Sequence, residues 1–150
     1  MQTSSTKQFK DLRSFCLKIV YIVLDNYEDH DFGAEFWDLF FKSVKSLIDA
    51  FKYEGSSSEK PSSLFSCFLA MSRSHKLVSL LYRENNLVPD IFSILTVMTA
   101  SQAIVFSVLK FVQNLLAHED VDVKRLLLPN LEALICSLHC CFQSATKRYE

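Results

Sequence analysis

The sequence is short of the two residues that most often interrupt regular structure. Only two of its 150 residues are glycine and only three are proline. An all-β chain needs many more turn residues, and a phosphate-binding loop needs clustered glycines. The composition therefore excludes both classes and favours a helical protein.

The chain also lacks an excess of charge of either sign. Sixteen basic side chains are balanced by seventeen acidic ones, which gives a net charge of −1. A basic excess is what draws a protein onto nucleic acid or an anionic membrane. The composition therefore gives no reason to expect direct contact with RNA or with lipid headgroups.

A disulfide framework and a secretory signal are missing as well. The five cysteines are odd in number and irregularly spaced, at Cys16, Cys67, Cys136, Cys140 and Cys141. The first fourteen residues are too polar for a signal peptide. Reduced thiols in the cytosol or nucleus follow from both observations. A mitochondrial presequence is the alternative, since residues 1–10 lack acids, but they also lack arginine.

One uncharged stretch, 91–109, is almost long enough to span a bilayer. The polar group Thr99–Gln102 falls at its centre, where a spanning helix is most apolar. We therefore predict a tight turn between two buried helices rather than a membrane span.

Apolar residues recur at helical spacing along nearly the whole chain. The predicted helices are 7–27, 33–53, 63–83, 89–100, 102–117 and 122–148, the last bent near Pro129. Ser62 or Ser63 and Ser101 are predicted N-caps, and 55–62 is predicted to be a flexible loop. The polar run 72–75 is expected to kink the third helix. The apolar stripe predicted for 102–117 consists of Ile104, Val105, Val108, Leu109, Val112, Leu115 and Leu116. The apolar face predicted for 122–148 consists of Leu131, Leu134, Ile135, Leu138 and Phe142.

Two prolines forty positions apart indicate a repeat. Leu87–Asp90 and Leu127–Asn130 each carry a proline where a helix start tolerates one. A period of about 40 residues built from helix pairs is typical of HEAT and armadillo proteins. We therefore predict an all-α fold in which residues 1–150 form one HEAT/armadillo-like α-solenoid segment of stacked antiparallel helix pairs.

The first predicted helix is apolar on nearly every side, and such a helix is expected to be buried on most faces. Terminal repeats of a solenoid carry a polar outer face instead. The sequence thus predicts that the natural protein continues beyond this segment, with Gln2–Lys7 as an artificial or alternative start. Trp37, Phe41 and the region 60–92 are the residues predicted to carry packing.

Candidate chemical sites have simpler structural explanations. Cys136, His139 and Cys140 share a helix face, but zinc needs four ligands, so packing against an adjacent repeat is favoured. Asp31-Phe32-Gly33 matches a kinase magnesium motif by letters alone, and Asp31 is predicted to cap the following helix.

The other polar candidates give no site either. The acids Asp25, Glu28, Asp29 and Asp31 do not have the spacing of a calcium loop and indicate a solvated turn. His30, His75 and His118 are predicted at the surface. The sequence thus predicts no catalytic residue, no cofactor-binding residue, no metal ligand, and no enzyme activity.

Several segments resemble one known family. They are Phe9–Val20, Tyr27–Phe32, Glu35–Phe41, Lys60–Phe65 and Val88–Phe92. The chain resembles small-subunit processome component 20, also called the down-regulated-in-metastasis family, whose members are large nucleolar HEAT-repeat proteins.

The resemblance implies a non-catalytic scaffold in the nucleolar small-subunit processome, which supports pre-rRNA processing and small-subunit biogenesis. The implied partners are other processome proteins, neighbouring repeats and, indirectly, the particle that holds the precursor and a small nucleolar RNA. No membrane, cofactor or small-molecule substrate is implied. The alternatives are a karyopherin-like transport adaptor or another HEAT-repeat adaptor, a standalone helical regulator, and a membrane protein.

Overall fold

A computed structural model describes residues 2–27, 30–49, 60–84 and 86–149, with side chains between residues 7 and 147 of those ranges. Every regular element within them is helical, which confirms the predicted all-α class. The α-helices are α1 (Gln2–Asn26), α2 (Ala34–Asp49), α3 (Ser63–Arg73), α4 (Leu87–Ser93), α5 (Gln102–Ala117), α6 (Val121–Leu127) and α7 (Leu131–Tyr149). Short 3-10 helices cover Val78–Tyr82, Ile94–Thr96 and Leu128–Asn130.

Several helix ends lie where the sequence predicted them. The Ser62 hydroxyl accepts the N–H of Phe65 at 3.1 Å and caps α3. The Ser101 hydroxyl accepts the N–H of Ile104 at 3.3 Å and caps α5. The predicted bend near Pro129 is also confirmed, because the 3-10 turn Leu128–Asn130 separates α6 from α7.

The predicted helix 63–83 is not one helix but two pieces. Helix α3 ends at Arg73, where the N–H of Ser74 bonds to the carbonyl of Met71 at 3.1 Å. A serine hydroxyl that bonds back to its own helix competes with the backbone ladder. Ser72 does this, donating to the carbonyl of Leu69 at 2.6 Å. The polar run therefore ends the helix instead of kinking it.

The uncharged stretch 91–109 is divided as predicted. The helix predicted over 89–100 begins at Leu87 and passes into the 3-10 turn Ile94–Thr96, and residues 97–101 are not helical. A different stretch of the described chain, Val121–Lys147, has the length and apolar composition to cross a membrane. Length and composition alone do not distinguish a membrane span from the core helix of a soluble protein.

The helices pack in alternation along the chain. Helix α1 packs against α3, α3 packs against α5, and α4 packs against α7. Helix α2 joins the same hydrophobic core, in which the ring of Phe40 lies edge-on to that of Phe68, 6.4 Å away. Helices α1, α3 and α5 thus follow one another side by side.

The prediction that the first helix is buried on most of its faces is wrong within this chain. Leu17 and Leu24 are buried in α1, whereas Phe15, with 66% of its surface exposed, and Ile19, with 56%, face outward. The reason is geometric, since α3 and α2 cover only one side of α1. The opposite apolar side is more than half exposed.

Three further side chains depart from the predicted inward stripes. Leu116, Ile135 and Phe142 are exposed, while Leu134 and Ser137 lie buried on the inner face of α7. Residues 135 and 142 lie one heptad apart and share a face, so both turn outward together. Residues 50–59 of the predicted α2 end and loop lie outside the described residues. That 1–150 forms one segment stays a prediction.

Candidate interaction surface

The cysteine and histidine residues of α7 do not assemble a metal site in the described part of the chain. No group of three or more histidine, cysteine or acidic side chains gathers there in a position to hold a metal ion. Cys136 and His139 are exposed and Cys140 is half-buried. The predicted burial of Cys136 is therefore not met within this chain, and its packing against a further repeat stays a prediction.

His118 contradicts its predicted surface position. Its side chain is 4% exposed, and its Nε2–H donates to the carbonyl oxygen of Ser72 at 2.6 Å. The Nδ2 of Asn114 donates to the Ser72 hydroxyl at 3.0 Å. A carbonyl at a helix end needs such a donor. His118 is thus drawn inward to complete the end of α3, while His30 and His75 are exposed as predicted.

Asp31 has a different role from the predicted helix cap. Its Oδ1 accepts the N–H of Gly33 at 2.8 Å and the indole N–H of Trp37 at 2.9 Å. Helix α2 then begins at Ala34, after Gly33 turns the chain with a φ of 94°, a conformation that glycine adopts most easily. The two hydrogen bonds hold the pKa of the Asp31 carboxyl below its usual 3.8.

Trp37 and Phe41 are buried, as the sequence predicted. Trp37 lies edge-on to Phe36 and to Phe40, with ring centroids 5.1 and 5.3 Å away. The guanidinium of Arg83 lies over the ring of Phe41, 5.4 Å from its centroid. Edge-to-face pairs each add roughly 0.5–1.5 kcal/mol beyond the area they bury. This aromatic group fixes α2 against the core.

Two ion pairs tie distant parts of the chain together. Arg73, at the end of α3, contacts the Asp25 carboxylate of α1 at 2.6 Å. Arg83 reaches the carboxylate of Asp38 in α2. All four side chains are partly exposed, so each pair contributes at most about 1 kcal/mol. Their effect is to fix the register between neighbouring helices more than to stabilise the fold.

An apolar stripe on the outer side of α1 is more than half exposed. We define the α1 stripe as Leu12, Phe15, Ile19 and Ile22, all more than half exposed. Single exposed apolar residues are ordinary on a protein surface, but a contiguous apolar strip marks an interaction site.

A groove runs beside the stripe, between α1 and α2, with a volume of about 460 Å³. We call it the α1–α2 groove. It is lined by Phe9, Leu12, Arg13, Cys16, Leu17, Val20, Phe36, Leu39, Phe40, Ser43 and Val44. Arg13 is the one charged side chain among these residues. A concave apolar surface with few polar groups is the usual form of a binding site.

Apolar side chains are also exposed on α5, α6 and α7, in the last third of the chain. On α5 these are Phe106 and Leu116, which line a shallow concavity together with Lys110 and Gln113. Apolar residues are also exposed at every seventh position from the start of α6 into α7: Val121, Leu128, Ile135 and Phe142. Helix α1 and the helices α5 to α7 thus each present an apolar surface of the kind that a further helix covers.

A comparison with known protein families identifies the chain. Residues 1–149 match the family described as U3 small nucleolar RNA-associated protein 20, N-terminal. The chain belongs to this family. The resemblance to processome component 20 that the sequence suggested is therefore confirmed. No curated protein and no solved structure matches the chain.

In this member of the U3 small nucleolar RNA-associated protein 20 family, the apolar residues of the α1 stripe have a regular spacing in the sequence. The sequence analysis nevertheless did not identify them as an exposed surface. The residues at i, i+3, i+7 and i+10 of α1 are apolar, and so are Leu17 and Val20 on the other side. Periodicity alone does not say which of two apolar sides a neighbour covers. The packing region 60–92 was identified correctly, with Phe65, Phe68 and Phe92 fully buried.

Proposed function

We propose that this chain is a non-catalytic scaffold segment of the nucleolar small-subunit processome, which supports pre-rRNA processing and small-subunit biogenesis. The observation that carries the proposal is the family match over residues 1–149, because this family is described as associated with the U3 small nucleolar RNA. Localisation in the nucleolus is part of the same proposal.

The architecture that we propose for this role is a HEAT-like stack of helix pairs. Several hydrogen bonds among the described residues join positions that lie 42 to 50 residues apart. HEAT and armadillo repeats have periods of about 40–47 residues. Side-by-side contacts of α1, α3 and α5 are what such a stack requires, since each repeat contacts its neighbours.

The non-catalytic part of the proposal is supported by the character of the exposed surfaces. General acid–base chemistry needs titratable groups held within hydrogen-bond reach of a substrate. The α1–α2 groove offers one charged side chain, Arg13, in an otherwise almost wholly apolar lining. Surfaces of this kind favour binding to helices and provide little with which to transform a small molecule.

The charge balance supports protein contacts over direct RNA contacts. Affinity for RNA phosphates depends on clustered lysine and arginine. The chain has a net charge of −1, and two of its arginines, Arg73 and Arg83, are engaged with carboxylates. We therefore propose that this segment meets the RNA of the particle only through other proteins.

The test is purification of the tagged natural protein from cells, followed by RNA sequencing and mass spectrometry. We expect small-subunit precursor RNA, the U3 small nucleolar RNA and processome proteins. Recovery of nuclear-pore proteins and transport cargo without precursor RNA would instead establish the karyopherin-like alternative. Ultraviolet cross-linking before purification checks the indirect contact, since peptides from residues 1–150 should carry no RNA adduct.

A further inference from the structure

Met98 is an exposed methionine that contacts a distant helix through its sulfur. Its side chain is 60% exposed, whereas that of Met71 is fully buried. The hydroxyl of Ser144 in α7 donates to the Met98 sulfur, with 3.0 Å between oxygen and sulfur. The two residues lie 46 positions apart in the sequence. A thioether is a weak acceptor, so this hydrogen bond is weaker than one to an oxygen atom.

The backbone that carries Met98 is anchored against the same helix. Met98 follows the 3-10 turn Ile94–Thr96, which packs against α7. The N–H of Ala100 bonds to the carbonyl of Val97 at 3.2 Å and closes a turn around Met98. Ala100 is itself buried. The turn therefore holds the sulfur at a fixed place, where both solvent and the Ser144 hydroxyl reach it.

An exposed thioether sulfur is open to oxidation by peroxides. The sulfur has two lone pairs, and the Ser144 hydroxyl engages one of them. The other lone pair can attack hydrogen peroxide, so that a sulfur–oxygen bond forms and the oxygen–oxygen bond breaks. Sulfur loses two electrons, and the second oxygen of the peroxide leaves as water. The product is methionine sulfoxide, which methionine sulfoxide reductases convert back to methionine.

The expected effect of this oxidation is opposite to its effect in a core. Methionine sulfoxide is polar and disrupts a core that has to bury it. Met98 is not part of the buried core of the described residues, so its sulfoxide stays in contact with water. A sulfoxide oxygen is a stronger acceptor than a thioether sulfur, and it lies within reach of the same hydroxyl. Oxidation therefore strengthens the hydrogen bond from Ser144.

We propose that Met98 is a peroxide-reactive modification site, whose reversible oxidation tightens the turn 97–100 against α7 through the Ser144 hydroxyl. The site is independent of the proposed scaffold role, because a purified chain and hydrogen peroxide test it without any processome component.

The first experiment treats the folded 150-residue chain with hydrogen peroxide and locates the added oxygen by peptide mass spectrometry. Sulfenic acids and disulfides formed by the cysteines are first reduced with dithiothreitol, which leaves methionine sulfoxide in place. We expect Met98 to be oxidised roughly ten times faster than Met71, because peroxide reaches a buried sulfur only after local opening. In concentrated urea the two methionines should react at similar rates.

Hydrogen exchange measures the effect on α7. In the oxidised chain, amides around Ser144 should exchange about two- to fivefold more slowly, which is the scale of one ordinary hydrogen bond. Methionine sulfoxide reductases should restore the starting rate. In oxidised Ser144→Ala we expect no slowing, although Met98 still reacts. Met98→Leu, treated in the same way, is the matched control for oxidation at Met1 and at the cysteines. Circular dichroism shows that each variant keeps its helices.

Three results would overturn the proposal. One is oxidation of Met71 as fast as that of Met98 in the folded chain. Another is unchanged or faster exchange in α7 once Met98 is oxidised. The third is equal slowing in Ser144→Ala or Met98→Leu, because the effect would then not pass through this hydrogen bond. Failure of the scaffold role would be recognised separately, by the absence of precursor RNA from the purified natural protein.

Discussion

The contact between Asp31 and Trp37 allows a measured test of what holds the start of α2 in place. Trp37 is 2% exposed, and its indole N–H donates to a carboxylate that is itself open to solvent. In Asp31→Ala the indole N–H stays buried and loses this acceptor. Leaving a buried donor unsatisfied costs roughly 1–3 kcal/mol, so we expect the free energy of unfolding to fall by about that amount.

The assay is urea unfolding followed by the fluorescence of Trp37, which is the single tryptophan of the chain. A companion thermal scan should show a Tm lower by about 2–4 °C for each kcal/mol, the scale expected for a protein of this length. A double-mutant cycle with Trp37→Phe isolates the pair, because phenylalanine keeps an aromatic ring and removes the donor. All four chains of the cycle are unfolded in urea and followed by far-ultraviolet circular dichroism, since Trp37→Phe removes the fluorescent residue. We expect a coupling free energy of about 1 kcal/mol.

A coupling near zero would show that Asp31 acts only through its bond to Gly33, and our account of the indole would then be incorrect. The pH dependence provides an independent check. Because the folded-state pKa of Asp31 lies below its unfolded value of 3.8, its ionised form stabilises the fold. That contribution is complete above about pH 4 and is lost as the pH falls through the folded-state pKa. Asp31→Asn should remove this part of the acid sensitivity.

Three further predictions concern buried polar groups. His118→Ala removes the donor to the Ser72 carbonyl, and we expect a loss of about 1–3 kcal/mol in chemical unfolding; a change under 0.5 kcal/mol would contradict the assigned bond. Burial raises the pKa of the Cys67 thiol to about 12, so iodoacetamide at pH 8 should modify exposed Cys136 in the folded chain but Cys67 only after unfolding. Burial also raises the pKa of Tyr82 to about 12, which an ultraviolet titration of Tyr82→Phe against the parent chain should reveal as a missing late phenolate.

The sequence predicted what depends on local chemistry. Ser62 and Ser101 were identified as caps because a hydroxyl before an apolar run satisfies the first free N–H groups of a helix. The bend at Pro129 follows from the missing N–H of proline. These features need only a few neighbouring residues, and the structure agrees with each of them.

Features that depend on distant neighbours were not predictable in the same way. His118 looks like a surface turn residue until α3 ends nearby and presents the carbonyl of Ser72. The α1 stripe looks like core until α3 covers only the side that holds Leu17 and Leu24. In each case the local pattern is compatible with two environments, and tertiary packing decides between them. The α1 stripe was missed for this reason, although the first helix had been recognised as apolar on nearly every side.

Hydrogen bonds between residues 46 and 50 positions apart bear on how the chain folds during synthesis. Cys67 reaches back to Leu17 across 50 residues, and His118 reaches back to Ser72 across 46. Each of these loops costs nearly the same closure entropy, because that entropy grows only with the logarithm of loop length. Because α1 packs against α3, we expect α1 to be covered as soon as α3 has left the ribosome. We expect α3 to be covered in the same way once α5 has emerged. The chain can fold stepwise as it emerges, without waiting for its last residue.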